Sequence, residues 1–193
     1  MAKYYINKSR ILITTGVLLA GLGFQLAHAC VSKAYNDAYA LFKHGEYAKS
    51  VPAFTKLYNN GCPTSPFFLG TYYTYGIAVK QNYDTAIKYF DKFLDEKNLV
   101  QPRDYRASVY RSLALIYKEK NQPQKAFDYL VESAKLGNTE SMFLLGRSYL
   151  SEDQPYHTKT NLKEAFYWLN KVAVLGNIEA MKLIYQHSLQ NYA

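Results

Sequence analysis

A helix–turn–helix pattern that recurs along this 193-residue chain constrains its fold more than any other feature. Its clearest copy is 65–98, where two amphipathic stretches flank Gly76, a residue that can adopt the positive φ of a chain reversal. Neither stretch can bury its apolar face alone, so the unit requires stacked neighbours. Two positions of the unit recur further along, the leading leucine as Leu69, Leu113 and Leu145 and a later alanine as Ala86, Ala126 and Ala165. Self-similarity of this kind predicts an all-α superhelix of stacked hairpins.

The residues of this unit resemble a known repeat. The motif Leu-Gly-x-x-Tyr-x-x-Gly begins at Leu69, Tyr-x-x-Ala-x-x-Tyr begins at Tyr83, and a similar second-helix motif, Ala-x-x-Trp, begins at Ala165. Together they resemble the Sel1-like repeat, a relative of the tetratricopeptide repeat, and 122–136 is similar to a plain tetratricopeptide unit. The resemblance implies a right-handed α-α superhelix of about four hairpins, at 31–62, 63–98, 103–137 and 138–176, with a capping helix at 177–191. It also implies a protein-interaction scaffold rather than an enzyme, with no cofactor.

The first 29 residues have the layout of an export signal. Lys3, Lys8 and Arg10 precede the apolar stretch 11–24, and a small-x-small cleavage motif follows at 27–29. The apolar stretch is too short for a comfortable membrane span, so a retained anchor is the weaker alternative. We therefore expect a cleaved signal peptide at 1–29 and a repeat domain at 30–193 that is periplasmic or secreted.

The chain has two cysteines, Cys30 and Cys62, and the predicted first hairpin brings them together. Its helices, 32–43 and 47–59, place the start of one beside the end of the other, and the cysteines flank those ends. In an oxidising compartment a disulfide is expected, worth about 3–4 kcal/mol in the chain-entropy account. Two free thiols are one alternative. Lipidation of Cys30 is another; it would tether the protein to a membrane in an envelope assembly complex, although 27–28 departs from the usual lipobox.

Three local features modify the regular pattern. Pro52 lies inside the predicted helix 47–59 and should bend or restart it, because proline lacks a backbone donor and clashes with the preceding turn. The segment 178–190 is predicted as the first helix of an uncompleted fifth unit, which caps the superhelix. The polar stretch 151–160 replaces a short turn. Such loops can carry function, and a tolerated insertion is the alternative.

Charge and motif content argue against catalysis and nucleic-acid binding. Loss of 1–29 would lower the formal net charge from +8 to +5, and no dense Lys/Arg run remains, so no nucleic-acid partner is expected. His44, His157 and His187 lie on different units without metal-ligand spacing, and no phosphate-binding loop or nucleophile motif is present. A hydrolase similar to β-lactamase-like Sel1 proteins is a weak alternative. Those proteins carry a cysteine pair in each repeat, and this chain has one pair in total.

The tetratricopeptide register suggests where a partner binds. First helices of stacked repeats line a groove, and the residues predicted there are aromatic in one half and basic in the other. Such a groove suits a protein or extended peptide with acidic side chains or a free carboxylate. The alternative for each residue is ordinary packing or solvated surface. The predicted positions are Tyr35, Tyr39, Phe42, Phe67, Thr71, Thr74, Arg111, Leu115, Lys118, Phe143, Arg147, Leu150 and Lys182.

Overall fold

The computed structural model describes residues 32–95, 102–150, 156 and 159–192. Within these residues the chain forms nine α-helices and one 3-10 helix, and no strand. In chain order they are α1 (Lys33–Lys43), α2 (Tyr47–Asn59), α3 (Ser65–Tyr75), α4 (Tyr83–Leu94), α5 (Arg103–Glu119), α6 (Pro123–Lys135), α7 (Thr139–Ser148), α8 (Leu162–Ala173), α9 (Ile178–Gln186) and the 3-10 helix (Leu189–Tyr192). Consecutive helices pair as hairpins, and the second helix of each hairpin contacts the first helix of the next. The predicted all-α solenoid is confirmed.

Short capping motifs set the helix boundaries. Four asparagines, Asn82, Asn138, Asn161 and Asn177, each accept a hydrogen bond from the backbone N–H three residues ahead. Each satisfies a donor that the first helical turn leaves free. At the other end of a helix, Gly76 closes α3 with φ 67°, as the predicted turn requires. The hairpin boundaries can therefore be predicted from these asparagines and this glycine in the sequence.

Glycines hold the two helices of a hairpin close together. A Cβ at Gly70 on α3 would lie 2.5 Å from the Phe90 ring on α4. A Cβ at Gly146 on α7 would lie 2.7 Å from Leu169 Cγ on α8. Because Phe90 and Leu169 are fully buried, neither has room to move aside. A side chain at either glycine would push the two helices apart.

Two buried serines join consecutive hairpins by hydrogen bonds. Ser50 on α2 donates to the Ala38 carbonyl of α1 over 3.2 Å and shares a 2.6 Å hydrogen bond with the Tyr72 hydroxyl of α3. Ser133 on α6 repeats this arrangement, because it donates to a carbonyl of α5 over 2.7 Å and accepts from the Ser141 hydroxyl of α7 over 2.8 Å. Each serine thus bonds its own hairpin partner and the first helix of the next hairpin.

The predicted effect of Pro52 on its helix is wrong in part. α2 runs without interruption from Tyr47 to Asn59 through Pro52, so the helix does not restart there. The carbonyl that would have bonded the missing N–H belongs to Ala48. Both Ala48 and Pro52 are exposed, so water can satisfy that carbonyl.

The C-terminal cap also differs from the prediction. α9 ends at Gln186 instead of residue 190, and Ser188 follows with φ 51°, which reverses the chain. The 3-10 helix then places Leu189, which is fully buried, in the last core cluster with Leu169 and Ala180. The cap is a helix followed by a returning turn, because Leu189 gains burial that a straight helix would not give it.

Several predicted features lie outside the described residues: the signal at 1–29, Cys30 and most of the polar loop 151–160. Cys62 is buried at 1% exposure, and its disulfide to Cys30 stays a prediction. In the described ranges, no helix combines the length and the apolar character that a bilayer crossing needs.

Candidate functional site

Residues from the first helices of three hairpins, α3, α5 and α7, line two neighbouring cavities, which we call the groove. The two cavities share Arg111 and Glu140. The basic cavity has a volume of about 260 Å³ and is lined by Arg111, Ala114, Leu115, Lys118, Leu130, Glu140, Leu144, Arg147 and Tyr156. The polar cavity has a volume of about 220 Å³ and is lined by Phe67, Thr71, Tyr75, Ser108, Arg111, Ser112, Asn138 and Glu140.

Arg111 on α5 is the centre of the groove. Its Nη1 donates to the Tyr75 hydroxyl of α3 over 3.1 Å, and its Nη2 forms an ion pair with the Glu140 carboxylate of α7. Its Nε is buried and has no acceptor among the described residues. Glu140 therefore does not occupy the side-on Nε/Nη2 position, where an arginine binds a carboxylate through two parallel hydrogen bonds. One guanidinium links three consecutive hairpins and keeps an unused donor.

The basic cavity carries a net positive charge. Lys118 and Arg147 join Arg111 in its lining, which includes one carboxylate, that of Glu140. The Arg147 guanidinium lies over the Phe143 ring at 5.7 Å from its centroid, a cation–π contact that orients it. The Lys118 ammonium lies 3.2 Å from a carboxylate oxygen of the adjacent, exposed Glu119. The cavity is thus suited to an anionic group.

The rest of the basic cavity is apolar. Ala114 and Leu130 are buried, and Leu115 and Leu144 are half-buried, so they form a hydrophobic surface beside the cations. Such a cavity fits a group that joins an anion to an apolar side chain.

Tyr156, from the polar loop, completes the lining of the basic cavity. Its side chain is 9% exposed and packs in the same cluster as Leu130 and Leu145. Burial raises the pKa of its phenol, although the nearby Arg111 charge opposes the shift. Sequence reasoning did not select Tyr156, even though it is the only aromatic residue in the stretch 151–160. An aromatic residue in an otherwise polar loop was the available signal.

The basic half of the predicted groove is brought together. Arg111, Lys118 and Arg147 share one cavity with Leu115, and Phe143 lies against Arg147. Leu150 instead packs in the last core cluster, and Lys182 is exposed on α9, away from these cavities.

The aromatic half of the predicted groove is mostly occupied with its own packing. Tyr35 and Tyr39 stack at 6.3 Å between ring centroids, and Phe42 packs on Phe68 at 5.2 Å. Within this trio, Tyr39 is the most accessible, at 36% exposure, and Tyr35 and Phe42 are half-buried. Of these three rings of the first hairpin, the Tyr39 ring is therefore the main one that a ligand could contact.

Phe67, Thr71 and Thr74 lie further along the predicted aromatic half. Phe67 stacks on Tyr105 at 4.4 Å and lines the polar cavity together with Thr71. Thr74 is fully buried and donates to the Gly70 carbonyl over 2.8 Å. The inclusion of Thr74 among ligand-facing positions is wrong, because Thr74 lies on the side of α3 that packs inward.

The described residues hold no group of His, Cys, Asp and Glu side chains that could bind a metal ion. His44 and His187, which are described, are exposed residues at the C-terminal ends of α1 and α9. The groove contains hydrogen-bond donors and apolar surface, which are properties of a binding site.

Comparison with known proteins identifies the repeat. The Sel1 repeat family model matches three times, at residues 67–98, 102–138 and 139–177, which together exceed half of the chain. The crystal structure of a Sel1 repeat protein from Oxalobacter formigenes is similar over 75% of this chain, with a TM-score of 0.57 and 21% identity. A protective antigen with an SLR fold, present in uropathogenic Escherichia coli strains, is similar over 78% of it, with a TM-score of 0.59 and 19% identity. The chain spans 56% and 34% of the lengths of these two structures. No curated protein sequence matches it significantly.

Proposed function

Because the chain belongs to the Sel1 repeat family, whose members are typically protein-interaction scaffolds, we propose that it binds a protein or peptide partner in the groove of α3, α5 and α7. The observation that supports this site is the arrangement around Arg111. Its guanidinium lies between two cavities, pairs with a single carboxylate and retains a buried Nε donor. A guanidinium in this state can donate to a second carboxylate through the N–H groups that Glu140 and Tyr75 leave unused.

The chemistry of the basic cavity defines the proposed ligand. Arg111, Lys118 and Arg147 favour an acidic side chain or a chain-terminal carboxylate, and the leucines beside them favour an adjoining apolar residue. The ligand is an extended segment, since the polar cavity continues the groove toward Phe67 and Tyr75.

A double charge reversal tests this proposal. Arg111→Glu/Arg147→Glu should abolish binding of extended peptides that carry acidic residues or a free C-terminal carboxylate, as measured by fluorescence anisotropy. Lys56→Glu/Lys163→Glu changes the net charge equally at exposed positions of α2 and α8 that line neither cavity, and it should leave binding intact. Circular dichroism checks that both variants stay folded. Binding that survives the groove variant, or that is lost equally in both, would contradict the proposed site.

Export is part of the same proposal. The layout of 1–29 supports a periplasmic or secreted protein with a Cys30–Cys62 disulfide, and burial of Cys62 at 1% exposure is compatible with such a bridge. An intact mass without reductant should begin at Cys30 and be two hydrogens light. A mass heavier by a diacylglycerol and an acyl chain would exclude the disulfide and place the protein at a membrane in an assembly complex. A mass that includes 1–29 would contradict cleavage.

A further inference from the structure

The outer face of α9 is an exposed apolar stripe. Ile178, Met181 and Tyr185 are three and four residues apart, so they lie on one side of the helix, and they are 68%, 47% and 81% exposed. Val174 and Leu175 in the preceding turn are 74% and 67% exposed and extend the same patch. A concentration of large exposed apolar residues of this kind is typical of an interaction site.

The repeat register shows what this face of α9 corresponds to. Asn177 begins α9 as Asn138 begins α7, so Tyr185 occupies the position of Gly146. In α7 this position contacts Leu169 of the second helix of the hairpin. At Tyr185 the stripe therefore coincides with the face that a second helix covers in the complete hairpins.

Tyr185 prevents a second helix from packing there at the usual distance. The matching residues of the complete hairpins are small, namely Gly70, Ala114 and Gly146, and a Cβ at either glycine would already be too close to the facing helix. The 3-10 helix packs on α8 and α9 through Leu189 and leaves the stripe exposed. Whatever covers the stripe must pack at a larger distance, through interdigitated side chains.

We infer that this stripe binds the same stripe of a second copy of the chain, with the two α9 helices antiparallel about a two-fold axis. The charges beside the stripe are self-complementary for that arrangement. Glu179 and Lys182 are exposed on one edge of it, three residues apart. An axis between residues 180 and 181 places Glu179 of one copy opposite Lys182 of the other, and symmetry forms this pair twice.

The antiparallel direction also agrees with the helix dipoles. In an antiparallel pair the dipoles of the two α9 helices oppose one another, and each Glu179 stays in the first turn of its own helix, where an acidic residue is favourable. A parallel two-fold pair would place the edges that carry Glu179 and Lys182 on opposite sides of the interface and would form neither pair. The inference does not depend on the groove, because none of these residues lines it.

Sedimentation equilibrium on the purified protein tests the inference. The wild type should show a reversible monomer–dimer equilibrium, and Met181→Glu should weaken it by about tenfold or more, because a carboxylate would be buried at the axis. Tyr167→Glu is the matched control, since Tyr167 is an exposed aromatic residue of α8, and it should not change the equilibrium. A wild type that stays monomeric at all concentrations, or a Met181→Glu variant that dimerises normally, would overturn the proposal.

A charge exchange tests the antiparallel register. Glu179→Lys and Lys182→Glu should each weaken the dimer, since each places like charges opposite one another. The double variant Glu179→Lys/Lys182→Glu should recover the wild-type equilibrium, because it restores both pairs in reversed sense. All of these positions are exposed, so circular dichroism should show unchanged folding. A dimer that is indifferent to the single reversals would overturn the antiparallel arrangement.

Discussion

Arg111 and Glu140 form an ion pair between α5 and α7, so one of the protein's own carboxylates already pairs with the guanidinium to which we propose that a ligand carboxylate binds. Glu140 therefore competes with the ligand for Arg111. The Glu140 side chain is 56% exposed, so water screens its ion pair with Arg111. Glu140 is therefore only a modest competitor for the guanidinium. An acidic partner would bind against this internal competitor.

Glu140→Gln should accordingly strengthen binding of acidic peptides. A partly exposed ion pair contributes ~0.2–1 kcal/mol. Without this competing pair, the Kd of the peptide should fall by up to about fivefold. Fluorescence anisotropy with the peptides that bind the wild type measures the change. Glu132→Gln removes a comparable pair, with Lys135 at 2.8 Å, outside both cavities, and should not alter the Kd. Weaker binding by Glu140→Gln would show that Glu140 contacts the ligand favourably.

Gly70→Ala should destabilise the protein in spite of alanine's better helix propensity. The added Cβ would lie 2.5 Å from the buried Phe90 ring, and such overpacking typically costs about 1–3 kcal/mol against a gain of about 1 kcal/mol from propensity. Urea unfolding measures the difference. In a double-mutant cycle, Phe90→Leu should reduce the cost of Gly70→Ala, because it removes the ring atoms that clash. If the destabilisations of the two single variants simply add in the double variant, the added Cβ and the Phe90 ring do not clash.

Ser50→Ala should destabilise the first two hairpins. Ser50 has a single hydroxyl proton and donates it to the Ala38 carbonyl, so in its bond with Tyr72 the phenol is the donor. The variant would leave the fully buried Tyr72 hydroxyl without an acceptor, at a cost of about 1–3 kcal/mol. Ser50→Ala/Tyr72→Phe removes both partners and should recover part of that loss. Chemical denaturation of the three variants compares them, and a double variant less stable than Ser50→Ala would contradict this account.

The protein should lose stability at alkaline pH. Burial is the main cause that raises the pKa of six phenols above the ordinary value of 10.0, those of Tyr72, Tyr89, Tyr105, Tyr129, Tyr149 and Tyr156. Above about pH 10 the unfolded chain releases these protons and the folded chain retains them, so the free energy of unfolding falls as pH rises. Below that range the contribution is fully present.

Urea midpoints measured on both sides of about pH 10 test this dependence, with tyrosinate absorbance as an independent readout of ionisation. Tyr72→Phe removes one of the buried phenols and should make the decline shallower. Tyr167→Phe, at an exposed position outside the α9 stripe, is the control and should leave the slope unchanged. A midpoint that is constant through this range would contradict burial as the cause.

The hairpins could be predicted from the sequence because they depend on local rules. Helical spacing, Gly76 at a reversal and asparagine caps such as Asn138 act within a few residues of one another. The proximity of Arg111 and Arg147 also followed, because a repeat register turns sequence offset into a position on a shared face. The length of the capping helix could not be predicted from the sequence. The turn at Ser188 depends on the tertiary packing of Leu189 in the last core cluster.

The finer chemistry of the groove could not be read in advance because it depends on tertiary contacts. Nothing in the spacing pairs Glu140 with Arg111, since they lie on different hairpins and meet only when these stack. Tyr156 reaches the basic cavity from a loop outside the repeat pattern. Thr74 was misplaced because the helical period alone does not decide which flank of α3 turns inward.

The serine bonds have a mechanical consequence. A hydrogen bond fixes both distance and direction, whereas apolar surfaces can slide with little loss of burial, and a superhelix bends by such sliding. The joints held by Ser50 and Ser133 are therefore stiff. Between them, the second and third hairpins meet through apolar contacts and through two polar contacts nearer the surface, the Lys120–Asp84 pair at 2.7 Å and the Arg111–Tyr75 hydrogen bond at 3.1 Å. A partner that pulls the groove open would therefore bend the superhelix mainly at the more compliant joint between α4 and α5.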